Sequence, residues 1–154
     1  MALNTFQGLM RSTGGSPKES GVTPSPLTMA TVISFDPTAS SATAVRIGTS
    51  ATSGAFFTLP AGAVPLYLLT IGGATGGTNP TVDIGSSATP DGFFNEADAD
   101  TKGTMNGANG SLVTGTGLAA QTQVFGKVGA SAATGGTFTG VFVYTVYNNG
   151  VWDV

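Results

Sequence analysis

The feature that most constrains the fold is a run of β-branched and aromatic residues over residues 136–149. These residue types favour extended backbone, and side chains alternate between the two faces of a strand. One face of this run collects Phe138, Phe142, Tyr144 and Val146. The run therefore predicts a long strand whose first face packs in a core.

The second face of the same strand is mixed in character. Threonines alternate along it with the larger residues Val141, Val143 and Tyr147. Such a face is typical either of a half-covered sheet or of a surface that meets another subunit. We predict that Val141, Val143 and Tyr147 form a subunit interface.

Small residues dominate the composition, since Gly, Ala, Ser and Thr make up just over half of the chain. Their side chains bury little apolar area, and burial stabilises a fold by only about 25 cal/mol per Å². The free energy that such a core gains from burial exceeds the cost of the conformational entropy lost on folding by only a little. We therefore expect association between subunits to supply part of the stability.

The missing residue types narrow the possible chemistry. The chain has no Cys and no His, which excludes disulfides, thiolate nucleophiles, imidazole bases and the usual zinc ligands. Five Lys and Arg residues without a cluster do not suit a nucleic-acid partner. The longest apolar run, residues 64–71, is far shorter than the ~20 residues that a membrane span needs. We expect no enzyme activity, no cofactor and no membrane partner.

Turn residues divide the rest of the chain into short β-prone segments. The predicted strands cover residues 28–35, 42–47, 54–59, 64–71, 81–84, 111–114, 119–128 and 137–147. Residues 95–100 suggest a brief helical turn. The sequence has two pairs of adjacent phenylalanines, Phe56–Phe57 and Phe93–Phe94, and one ring of each pair should enter the core. Eight short strands predict an all-β fold, a single antiparallel, jelly-roll-like β-sandwich over residues 28–154.

Residues 1–27 are rich in Gly and Pro and show no sustained period, which predicts an extended N-terminal arm. Apolar residues recur near its start at a loosely helical spacing, and Arg11 follows them. One interpretation is an anchor that becomes ordered on a partner surface, and the other is a frayed terminus. The anchor residues would be Leu3, Phe6, Leu9, Met10 and Arg11.

Four of the eight carboxylates fall within residues 91–100. Asp98 and Asp100 resemble the start of a calcium-binding loop, because carboxylate oxygens are the ligands that calcium prefers. Lys102 occupies the third ligand position and Asn109 stands where a bidentate Glu belongs, which excludes a helix-loop-helix site. Asp98 and Asp100 remain weak calcium candidates beside the alternative of a solvated acidic loop.

Three short motifs and the long final strand resemble small structural proteins of tailed-bacteriophage virions. The motifs are Leu-Pro-Ala-Gly-Ala-Val at residues 59–64, Thr-Val-Asp-Ile-Gly at 81–85 and Pro-Asp-Gly-Phe at 90–93. The resemblance covers roughly residues 54–147. It implies the β-sandwich domain of capsid decoration, or cement, proteins and of head-fibre proteins.

The resemblance also implies a function and a location. The chain would decorate and stabilise the outside of a capsid, with its arm clamping neighbouring major capsid subunits after assembly in the host cytoplasm. Its partners would be the major capsid protein and further copies of itself, which we expect to form a trimer. The alternative is a head-fibre or tail-associated adhesin that binds host surface glycans.

Overall fold

The computed structural model describes residues 27–36 and 55–146, except for the side chain of Leu27. Within these ranges the chain forms eight strands and no helix. The strands are β1 (Leu27–Phe35), β2 (Phe57–Leu59), β3 (Ala63–Thr75), β4 (Thr81–Gly85), β5 (Phe94–Asp98), β6 (Met105–Gly107), β7 (Thr122–Val128) and β8 (Gly135–Val146). No helix long and apolar enough to cross a membrane occurs in these described ranges.

The strands form two four-stranded sheets in which every pair is antiparallel. One sheet has the order β1-β8-β3-β6 and the other has the order β2-β7-β4-β5. Among the described strands, only β4 and β5 are both consecutive and paired, whereas each other pair of consecutive strands lies in different sheets. The predicted all-β, antiparallel β-sandwich is confirmed.

The core lies between the sheets and is centred on Phe142 of β8. Its ring lies 5.2 Å from that of Phe57, 5.2 Å from that of Phe94 and 6.1 Å from that of Phe93, each nearly perpendicular to it. Edge-to-face contacts of this kind are favourable because the positive ring edge meets the negative ring face. The predicted core face of β8 is correct, since Phe138, Phe142 and Tyr144 are buried.

Local patterns predicted several strands closely. β1, β3, β4, β7 and β8 overlap the predicted segments; β1, β4 and β8 are each one residue longer than predicted, whereas β3 is five residues longer and β7 three residues shorter. Of the segment predicted over 54–59, only Phe57–Leu59 forms a strand. The strand predicted over residues 42–47 lies outside the described residues.

Two local predictions are wrong. Residues 111–114 form turns, because Leu112 N–H donates to the carbonyl oxygen of Gly92 and Val113 N–H to that of Gly110. The brief helical turn predicted over residues 95–100 is instead occupied mainly by β5, which pairs with β4. In both places long-range hydrogen bonds override weak local preference.

The prediction that only one ring of Phe93 and Phe94 enters the core is also wrong, because both rings are fully buried. Phe93 precedes β5 and is held by its N–H bond to the carbonyl oxygen of Ile84. Alternation between faces applies only within a regular strand, so the irregular backbone here turns both rings inward. Phe56 and Phe57 likewise both pack against the core.

Candidate interaction surface

Charged residues are distributed unequally between the two sheets. The strands β1, β8, β3 and β6 contain no Asp, Glu, Lys or Arg, and we call them the uncharged sheet. The strands β2, β7, β4 and β5 carry Asp83, Glu96, Asp98 and Lys127, and we call them the charged sheet. The outward faces of the two sheets therefore offer different chemistry to a partner.

The register of the uncharged sheet arranges its outward side chains in two rows that cross all four strands. Residues directly opposite one another on paired strands share a face of the sheet. We define the outer apolar face by these eight residues. The first row is Val32, Val141, Leu69 and Met105, and the second row is Ala30, Val143, Tyr67 and Gly107.

Exposure is greatest at the two ends of the first row. Val32 on β1 is 61% exposed and Met105 on β6 is 64% exposed. Val141 and Leu69, which lie between them, are half-buried, while Val143 in the second row is only 5% exposed. A contiguous apolar surface that lacks charge is typical of a protein–protein contact.

The structure brings together two of the three residues predicted to form a subunit interface. Val141 and Val143 lie side by side with β1 and β3 residues on the outer apolar face. Tyr147 lies outside the described residues. The role of these residues in subunit association stays a prediction.

Sequence reasoning missed most of the outer apolar face. Val32, Tyr67, Leu69 and Met105 belong to it, yet none was singled out. Alternation along the first and third strands could have suggested some of them. Their alignment with Val141 depends on strand order and register, which no local pattern contains.

The outward face of the charged sheet holds an internally satisfied network. Lys127 Nζ lies 2.9 Å from Asp83 Oδ2, and Glu96 N–H donates to Asp83 Oδ1 over 2.8 Å. The Glu96 carboxylate accepts hydrogen bonds from Thr81 Oγ1 at 2.6 Å and Ala130 N–H at 2.7 Å. These charges tie β4, β5 and β7 together, so we assign them a structural role.

Glu96 adopts an unusual backbone conformation in this network. Its φ is 56°, in the left-handed region, at a register shift where Asp83 of β4 faces the Asn95–Glu96 step of β5. A bulge of this kind leaves an amide without a ladder partner. The Asp83 carboxylate accepts that amide's hydrogen bond.

Of the calcium candidates, Asp98 ends β5 and Asp100 lies in the loop that follows, which is closed by its own hydrogen bonds. Asp98 Oδ1 accepts bonds from the backbone N–H groups of Asp100 and Thr101, at 3.1 and 2.9 Å. Burial raises the pKa of Asp98, but these amides and the Asp100 and Thr101 side chains lower it more, so its pKa lies below the ordinary value. In the described part of the chain, no three acidic, His or Cys side chains are grouped to hold a metal ion.

The predicted arm anchors, Leu3, Phe6, Leu9, Met10 and Arg11, lie outside the described residues. The described chain begins at Leu27, which pairs with Val146 at one end of β1. Any segment that precedes Leu27 therefore enters the fold at the edge strand of the uncharged sheet.

No protein-family model matches this chain, and no curated protein matches it at a significant level. Among solved structures, it is similar to a chain of the cyanophage Pam1 capsid asymmetric unit, with a TM-score of 0.51 and 18% sequence identity. The similarity covers 86% of this chain and 97% of that chain. At this level of identity the two proteins share a fold.

Proposed function

We propose that this protein is a structural component of a bacteriophage virion that decorates and stabilises the outside of the capsid. The observation that carries the proposal is the outer apolar face, because an uncharged apolar surface spanning four strands suits lasting protein–protein contact. Similarity of fold to a chain of a cyanophage capsid unit supports the same function.

The order of strands supports this proposal further. We infer that the sheets β1-β8-β3-β6 and β2-β7-β4-β5 form a jelly roll, because the first and last strands pair and nearly every connection crosses between sheets. Jelly rolls recur in viral capsid proteins, where a rigid sandwich presents loops and faces to its neighbours. Fold alone does not define function, so the proposal rests mainly on the outer apolar face.

In the mechanism that we propose, several copies of the chain act together as a clamp. The copies form a trimer, and the arm of each copy lies across the junction between neighbouring major capsid subunits. Each arm contact can be weak, since linkage gives the remaining contacts a high effective concentration. Release from the capsid then requires all of the contacts to open at once.

The decisive experiment is to measure the stoichiometry of this chain against the major capsid protein in purified native particles. A decoration protein should be present in numbers comparable with the major capsid protein. A few copies per particle would instead indicate the head-fibre or tail-associated adhesin. Complete absence from particles would overturn the proposed function.

A further inference from the structure

We propose that the outer apolar face is the surface through which this chain associates with further copies of itself. The inference rests on the proposed function in one respect, because the clamp requires several linked copies. It assigns the contact to Val32, Tyr67, Leu69 and Met105 in addition to the predicted Val141, whereas Val143, only 5% exposed, offers a partner almost no surface. The occupant of the face is a second copy of this chain.

The dimensions of the face show that the contact extends beyond it. Four strands about 4.8 Å apart, crossed by two rows about 7 Å apart along the strands, give a footprint of roughly 250 Å². A standard interface buries about 800 Å² on each partner. A stable contact therefore needs an adjoining surface with the same chemistry.

The edge of β1 supplies that adjoining surface. In the described residues β1 forms one edge of the uncharged sheet, and its register with β8 is unbroken over all nine residues. It contains no charged residue and no Pro. Ala30 and Val32 belong to both the edge strand and the outer apolar face, so the two surfaces are continuous.

The other three sheet edges are protected against pairing with another chain. β2 and β6 are only three residues long. β5 carries Glu96 and Asp98 and contains a register shift. Short strands, charges and bulges are the devices by which proteins prevent edge-to-edge association, and β1 has none of them.

Charge favours a second copy over a partner of different chemistry. The chain has a net charge of −3 at pH 7, so two copies repel each other wherever their acidic surfaces meet. Contact through the outer apolar face places Asp83, Glu96 and Asp98 on the opposite sheet of each copy. An uncharged face can also meet the surface of another copy without bringing like charges together.

The test is sedimentation equilibrium of the purified full-length chain and of two variants, Val32→Asp and Met105→Asp. Both side chains are well exposed, so the substitutions leave the core intact. The wild-type protein should sediment with the mass of two or more chains. Each variant should associate at least about tenfold more weakly, because association would bury an unpaired carboxylate.

Gln123→Asp provides the matched control. Gln123 is exposed and lies on β7 of the charged sheet, so this variant adds the same charge on the opposite side of the sandwich. It should associate like the wild-type chain. Circular dichroism and the midpoint of urea unfolding should show that all three variants fold.

Three outcomes overturn the inference. The first is a wild-type chain that stays monomeric at all concentrations. The second is that both face variants associate like wild type. The third is a control variant that dissociates as strongly as the face variants do. Particle binding is measured separately. A monomeric chain that still binds particles would overturn self-association and the trimeric clamp but leave the decorating role standing, whereas an oligomer absent from particles would overturn the decorating role and leave self-association standing.

Discussion

Asp83 illustrates how a single buried carboxylate is accommodated in this protein. It is only 3% exposed, and both of its oxygens have partners, Lys127 on β7 and the amide of Glu96 on β5. A buried charge without a partner costs several kcal/mol, because burial removes its hydration. The Asp83 side chain is therefore tolerated only while the three strands keep their arrangement.

At Asp98, the lowered pKa predicts how stability responds to acid. A folded-state pKa below the ordinary 3.8 stabilises the fold above that value, and the stabilisation is lost as pH falls through the folded pKa. Asp98→Asn keeps an oxygen that can accept the Asp100 and Thr101 amide bonds, but it does not titrate. We expect this variant to be less stable than wild type at neutral pH and to lose less stability on acidification.

Urea unfolding of both proteins at neutral pH and at about pH 2.5, below the ordinary range of Asp, measures this difference. Equal losses of unfolding free energy in the two proteins would contradict the assignment of an acid-sensitive contribution to Asp98.

Among the strands, β8 carries the core. It pairs with both β1 and β3, and its inward face places Gly140 between Phe138 and Phe142. A Cβ at position 140 would lie 2.8 Å from Phe138 Cζ and 2.9 Å from Leu68 Cδ1. Glycine is therefore required here by the space that neighbouring core side chains fill.

Gly140→Ala should accordingly destabilise the fold by about 1–3 kcal/mol, since overpacking forces core side chains away from preferred rotamers. The free energy of unfolding from urea denaturation measures this change. Gly115→Ala is the control, because a Cβ there meets nothing within 4 Å. A Gly140→Ala variant as stable as wild type would show that the Phe138 and Leu68 side chains can move aside at little cost.

β5 depends on side chains that imitate a neighbouring strand. Asn109 accepts a hydrogen bond from Asn95 N–H at 2.8 Å and donates one to the Asn95 carbonyl oxygen at 3.1 Å. Asn106, on β6, accepts a bond from Asp98 N–H at 2.9 Å. Because these partners are amide side chains, β5 forms without a β-branched pattern of its own.

For the whole molecule, the two sheets differ in charge and therefore suit different roles. The charged sheet is tied together by its own ion pair and hydrogen bonds, while the uncharged sheet presents an apolar face and, among the described strands, the uncharged edge strand β1. β1 also begins at Leu27, where the predicted arm ends. Under the proposed function, self-association and capsid attachment therefore originate on the same side of the sandwich.

Deletion of residues 1–26 tests capsid attachment at this scale. All eight described strands follow residue 26, so we expect the shortened chain to fold and to unfold cooperatively in urea. It should lose binding to particles that lack the protein, because the proposed clamp has lost its arms. Cosedimentation with such particles measures binding, and full retention of binding by the shortened chain would contradict a role for the arm.

The sequence by itself determined the all-β class, the approximate positions of five strands and the core-facing side of β8. These features follow from β-branched and aromatic residues alternating within a few positions, which is local information. It also limited the chemistry, because a chain without Cys and His lacks the commonest nucleophiles, bases and zinc ligands.

Only the tertiary structure decided which strands are neighbours and in which register. Val32, Leu69, Met105 and Val141 are distant in sequence, and they form one row because β1, β8, β3 and β6 pair in that order. The Asp83–Lys127 pair has the same origin in the pairing of β4 with β7. Strand order and register minimise the free energy of the whole packed sandwich, so no short segment of the chain contains the information that specifies them.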